Sequence, residues 1–357
     1  MSVFRIGAAA MACLALSATA SAAPLSEAAQ SMSKGEWREL ATTGLTKELL
    51  ETQSTAIDSI MQWGAKAAWE PQSQMFLFAG APHGGARKMI RYKAVEDKWE
   101  LGPIAPGQGA HSYYYSATQT EGGRWYRYLS EYDGGSAGVI GVYDPQSSSW
   151  SVLPGKVSRG GVGPKFGGFA YFPERNGFLM VAGWRGGYWY DKASSTWTSI
   201  DYQNDDIHDF ALYNPVHKVV MFGGGGTGDN FNMNFWIMEA DGSIKGPYTS
   251  PQLIRTSKGH ITVDPVTGKY LVIFDGRQMF EYDVPTNSWA RIPDPPSEFA
   301  QSHDANGRWV AAPINTHGVV MYLMYRPRPT VFLYRHGEGI GTIDTVPPDT
   351  PGNLTSD

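Results

Sequence analysis

Tyr190-Asp191-Lys-Ala-Ser-Ser-Thr-Trp197-Thr-Ser-Ile200 is the stretch on which the fold reading turns. It reads as a strand ending in Tyr-Asp, a short polar turn, and a second strand whose Trp starts the inward-facing side. The pattern recurs as Tyr143-Asp144-Pro-Gln-Ser-Ser-Ser-Trp150-Ser-Val-Leu153 and as Tyr282-Asp283-Val-Pro-Thr-Asn-Ser-Trp289-Ala-Arg-Ile292. A looser copy is Tyr92-Lys93-Ala-Val-Glu-Asp-Lys-Trp99-Glu-Leu101. Apolar runs lie nearby, at 75–80, 178–183, 219–224 and 270–276. Before such runs comes another strand ended by a Pro turn, as in Phe169-Ala-Tyr-Phe-Pro173, Ala211-Leu-Tyr-Asn-Pro215 and Ile261-Thr-Val-Asp-Pro265. Each unit is therefore four short strands, a to d, and a four-stranded sheet repeated radially is a propeller blade.

The middle pair of strands, b and c, recurs six times, near 75–92, 125–144, 178–191, 219–240, 270–283 and 319–335. Outer strands follow only the first five. The missing one stands at the other end of the chain, where Glu36-Trp37-Arg-Glu-Leu40 is a free Trp-x-x-Leu. The expectation is an all-β, six-bladed propeller of four-stranded blades over 23–343, its last blade closed by an N-terminal strand near 35–42. Closure removes the exposed sheet edges that make open β proteins adhesive; the alternative is two separate β domains. Leu45, Leu49, Leu50 and Ile57 suggest a short helix within 45–62.

These units resemble the kelch repeat, a family that includes the galactose-oxidase-like propellers. The likeness rests on Phe222-Gly223-Gly224 after strand b, the three Tyr-Asp…Trp units, and a His opening strand a at His111 and His260. Only one unit has the full Gly-Gly, and Lys245-Gly-Pro-Tyr248 lacks the Trp. The resemblance implies a six-bladed ring of kelch-like blades, and kelch-like propellers commonly serve as interaction platforms.

Composition agrees with this class: 42 Gly, 12 Trp and 19 Tyr in 357 residues, with only 18% charged, describe an all-β chain with many tight turns. A net charge of -5 argues against a general nucleic-acid binder. Residues 1–22 read as an export signal, with Arg5, an apolar run from Ile6 to Ala18 and the small-x-small site Ala20-Ser21-Ala22. A lipoprotein reading would cleave before Cys13, but Ala10-Met11-Ala12 is a poor match to that signal. Cys13 is the only cysteine, so the mature chain has no disulfide, thiolate metal site or cysteine nucleophile. The copper chemistry of galactose oxidase needs a Tyr cross-linked to a Cys and is excluded on the same ground. Export without disulfides predicts a secreted or periplasmic protein. No later stretch is long and apolar enough to span a membrane. Residues 344–357 form a Pro-rich tail that resembles the opening of a fibronectin type III module at Pro347, Pro348, Pro351 and Leu354. A longer multidomain relative is therefore also expected.

Sorting residues by loop brings many basic groups to the end face formed by the b–c and d–a connections. Five of the eight histidines fall there. Arg185, Arg255, Arg277, Arg308, His111 and Trp184 are the expected substrate-binding residues, with His208, His260 and Tyr113 as acid–base candidates. A His at the start of strand a also suits a purely structural role, satisfying nearby backbone groups. Aromatic faces stack on sugar rings and Arg forks grip carboxylates or sulfates. The expected role is a monomeric, exported propeller that binds an anionic glycan or an extracellular protein. The alternative is a lyase of uronate-containing polysaccharide, in which Arg neutralises the carboxylate while His and Tyr move protons. No cofactor is required, and His111, His208 and His260 lack the short spacing typical of a metal site.

Overall fold

The repeated hairpins form as the sequence predicts. Tyr190 stands opposite Trp197, Tyr143 opposite Trp150, Tyr282 opposite Trp289 and Tyr92 opposite Trp99. The ring centroids of these pairs lie 4.9–5.2 Å apart, cross-strand aromatic contacts that stabilise a hairpin locally. The Asp after the Tyr holds the turn: Asp191 Oδ1 accepts the Ser194 N–H at 2.7 Å, and Asp144 Oδ1 that of Gln146 at 2.9 Å. The residue two before each Trp is left-handed, with φ of +47° at Asp97, +51° at Ser148, +57° at Ser195 and +49° at Asn287. Asp97 and Asn287 also accept a hydrogen bond from the hydroxyl of the Tyr in the same hairpin. Ser195 accepts none, so the left-handed strain is uncompensated there. Ser195→Gly is expected to raise unfolding stability by about 0.5–1 kcal/mol, measured by urea denaturation.

This computed structural model describes residues 24–51, 59–61, 64, 66–81, 87–106, 117–132, 137–160, 164–165, 167–182, 186–202, 204, 207–227, 230–255, 259–301 and 309–339. After a short helix α1 (Pro24–Gln30) come β1 (Trp37–Leu40) and α2 (Lys47–Leu50). Blade 1 is β2 (Ala68–Glu70), β3 (Met75–Gly80), β4 (Lys88–Lys93) and β5 (Lys98–Gly102). Blade 2 is β6 (Ala117–Glu121), β7 (Arg124–Tyr132), β8 (Ala137–Asp144) and β9 (Ser149–Val152). Blade 3 is β10 (Gly168–Phe172), β11 (Gly177–Val181), β12 (Gly187–Asp191) and β13 (Thr196–Ile200). Blade 4 carries an extra two-stranded hairpin, β16 (Gly226–Thr227) with β17 (Asn230–Phe231), between its second and third strands. Its main strands are β14 (Phe210–Asn214), β15 (Val219–Gly223), β18 (Asn234–Met238) and β19 (Ile244–Thr249). Blade 5 is β20 (Gly259–Val263), β21 (Tyr270–Phe274), β22 (Gln278–Asp283) and β23 (Ser288–Ile292), followed by α3 (Ser297–Gln301). Blade 6 takes β24 (Trp309–Ile314), β25 (Val319–Met324) and β26 (Thr330–Tyr334) from the end of the chain and β1 from its start.

The chain is thus an all-β six-bladed propeller, with each blade a four-stranded antiparallel sheet. Trp37 on β1 stands opposite Tyr334 on β26 and stacks on it at 4.4 Å, so the closing strand rebuilds the Tyr–Trp pair from distant pieces of chain. The inner strands neighbour one another around a closed circle. Each seam between blades holds a hydrophobic cluster. On β11, Phe178 and Met180 pack toward blade 2, and Leu179 and Val181 toward blade 4. Both faces of the strand are buried, which is why it reads as a continuous apolar run without polar alternation. Seam 6/1 also takes in Leu25 and Ala29 of α1 and Leu50 of α2.

Two local features depart from expectation. Among the described residues the helix predicted within 45–62 is the single turn α2, Ile57 lying outside them, and α1 was not foreseen. The unit lacking Trp still forms β19, with Tyr248 opposite Phe235 and a register shift between Phe235 and Ile237. Pro247 has no N–H to give the ladder, and a bulge is where a strand tolerates that. Among the described residues no helix is long and apolar enough to cross a membrane.

Candidate functional site

Antiparallel succession places the b–c and d–a connections at one end of the propeller. On blade 4 this end is built around Gly223-Gly224-Gly225-Gly226, whose φ values of +124°, +65°, +94° and +141° are all in the range that suits glycine. The strap runs between two connectors. Gly225 N–H donates to Ile254 O at 3.0 Å and Gly226 N–H to Ile207 O at 2.7 Å. A Cβ on Gly225 would stand 2.6 Å from Ile207 O, so the approach leaves no room for a side chain.

The strap presents one carbonyl to two candidate residues. Gly226 O lies 3.2 Å from His208 Nδ1 and 2.8 Å from Arg255 Nη1. A carbonyl only accepts, so Nδ1 carries the proton in this contact. His208 itself has φ +74°, a conformation a non-glycine residue holds only under strain. The Arg255 guanidinium stands 5.6 Å from the centroid of Phe231, a ring that is 48% exposed and stands opposite Gly226 at the base of the extra hairpin.

Behind these groups is a buried polar network. Asn204 Nδ2 donates to Asp209 Oδ1 at 2.6 Å and to Gly224 O at 2.9 Å. Asn232 Nδ2 donates to Asn204 Oδ1 at 2.8 Å, and the Tyr202 hydroxyl to Asp209 Oδ1 at 3.3 Å. Burial and the Asp209 charge hold the Tyr202 hydroxyl well above its ordinary pKa, so it remains a donor. This network fixes the connector that carries His208 to the strap, while the Gly225 N–H bond to Ile254 O ties the connector that carries Arg255.

Of the nine residues expected at the site, the structure brings His208 and Arg255 together. His260 is 7% exposed and lies 4.7 Å from the Trp309 ring in seam 5/6, the surroundings of a packing residue. Arg277 is exposed in the β21–β22 turn, with no side-chain hydrogen bond or ion pair among the described residues. Tyr113, His111, Trp184, Arg185 and Arg308 lie outside the described residues. Of the further basic groups on this face, Arg328 is committed to Glu39 through two hydrogen bonds of 2.8 Å. Among the described residues no group of three or more His, Cys, Asp or Glu is placed to hold a metal ion.

Asn204 and Asp209 belong to the acidic stretch Asn204-Asp205-Asp206-Ile-His208-Asp209 that the sequence offers as a general base, a metal ligand or a polar loop, whereas Phe231 and Asn232 carry no sequence signal of their own. The one sequence signal near them is the run of four glycines, Gly223–Gly226. No family model matches the chain, and a search of curated proteins finds no match either.

Proposed function

We propose that this is an exported carbohydrate-binding propeller that takes an anionic glycan on the blade 4 end face. The observation that carries this reading is the convergence of Arg255 and His208 on Gly226 O beside the exposed ring of Phe231. A guanidinium oriented by a backbone carbonyl presents a planar fork suited to a carboxylate or sulfate, and an exposed aromatic ring suits the apolar face of a sugar. Export is supported by the signal-like residues 1–22.

A catalytic reading has one specific support. His208 is held in a strained conformation with Nδ1 turned to the Gly226 carbonyl, which orients the ring of a candidate general base. Binding and catalysis separate in one experiment. The mature chain is mixed with polygalacturonate, alginate and a sulfated glycan; retardation on a gel is measured, and absorbance of unsaturated uronate is followed. Arg255→Ala and Phe231→Ala are each expected to weaken retardation about tenfold, the loss of roughly 1.4 kcal/mol, while the circular dichroism spectrum is kept. Unsaturated product that disappears in His208→Ala assigns the lyase instead. Failure of every anionic polymer to bind rejects the glycan reading.

A further inference from the structure

On the opposite end of the propeller, α1 borders a partly open cavity of about 60 Å³ lined by Ser26, Ala29, Gln30, Thr316, His317 and Arg335. That is room for more than one water-sized occupant. Arg335 is 6% exposed. Its Nη1 donates to Gly339 O at 2.7 Å, and its Nη2 to Ala29 O at 2.6 Å and His317 O at 3.1 Å. Its Nε is buried without a hydrogen-bond partner.

All three acceptors are neutral carbonyls, and among the described residues no carboxylate forms an ion pair with Arg335. Glu36, the carboxylate on which Arg335 exerts a field, is claimed by the Ser33 N–H at 2.8 Å and by Arg38. A guanidinium taken out of water needs an opposing charge, and here a cavity adjoins it in place of an acid. The other polar groups on the wall suit a negative occupant: the Ser26 hydroxyl, which accepts from Gln30 Nε2 at 3.2 Å and so can turn its own O–H outward, and the Gln30 amide. His317, also on the wall, is held below its ordinary pKa by burial and by the Arg335 charge, as in a pocket of positive potential.

We infer that this cavity is a binding site for a small monovalent anion of chloride or formate size, which serves as the counter-ion of Arg335 and fastens α1 to the propeller. The inference is independent of the glycan-binding reading. It predicts that the mature protein, dialysed into sodium gluconate and titrated with sodium chloride or sodium formate at constant ionic strength, gains thermal stability saturably. The expected rise in Tm is about 2–4 °C at saturation. Because an Arg335 variant also removes the bond that tethers Ala29 O of α1, the decisive variant is Gln30→Glu, which sets a carboxylate on the cavity wall. It should match or exceed the wild-type Tm in gluconate and lose the chloride response. An independent readout is the His317 imidazole titration by NMR, which should move to higher pH when the small anion replaces gluconate. Equal melting in gluconate, chloride and formate, or a Gln30→Glu variant that melts lower and still responds to chloride, overturns the site in favour of water alone.

Discussion

Trp37→Ala is expected to cost about 3 kcal/mol of unfolding stability, at the lower end of the usual range for losing a packed Trp because the side chain is only partly buried. The ring stacks on Tyr334 at 4.4 Å and meets Tyr322 and Phe299 at 5.2 Å each. Its strand supplies the only pairing partner for the outer edge of β26, so weakening it exposes that edge. The Trp289→Ala variant is the comparison, since Trp289 makes the same pair with Tyr282 inside a local hairpin. Both variants should shift the urea midpoint. Only Trp37→Ala should also make the segment around residues 41–46 quickly cleavable by protease, because its strand is tied to blade 6 by noncovalent contacts alone. A Trp37→Ala protein within 1 kcal/mol of wild type and equally resistant to protease would remove the closing role.

Lys66 should give the largest pH effect. Its side chain is buried, and Nζ donates to Phe169 O on β10 and Ala211 O on β14 at 2.6 Å each, while its backbone bridges to Ala311 on β24. One residue thus joins inner strands of three blades. A neutral amine has two N–H groups for these two acceptors; an ammonium has a third, and the charged group nearby is the buried Arg127. Burial, with Arg127 adding to it, lowers the Lys66 pKa to about 7. The folded value lies below the unfolded one, so the unfolded chain binds more protons between them. Stability from this group therefore rises with pH from about 7 toward the unfolded value near 10.5 and is flat below that window. The slope inside the window is about 1.4 kcal/mol per pH unit. Between pH 7 and 9 the wild type should gain roughly 2–3 kcal/mol over Lys66→Met. Lys66→Met also leaves the two carbonyls without this donor, at about 1–3 kcal/mol each. Parallel stability profiles for the two proteins across pH 7–9 would show that Lys66 does not titrate there.

Much of the architecture was legible in the chain because hairpins are local. The Tyr-Asp…Trp pattern carries a cross-strand pair, a turn cap and a left-handed turn residue within about ten positions, and a short segment can satisfy all three. The count of outer strands, one short at the C-terminal end and one spare at Trp37, then required ring closure. The site was legible only in part. His208 and Arg255 were expected on the right face because loop position follows from strand order. The sequence did not show that His260 would turn into seam 5/6, since one step of the strand's two-residue alternation decides between core and open side. Nor did it mark Lys66 or Arg335. Each takes its meaning from backbone carbonyls and side chains that are distant along the chain, and only packing of the blades brings those partners within hydrogen-bond reach. Local periodicity determined the strands, their hairpins and the closing of the ring. Tertiary contact alone decided which polar groups are buried and which carbonyl gathers the candidate side chains, because those depend on the few ångströms between segments that propensity does not encode.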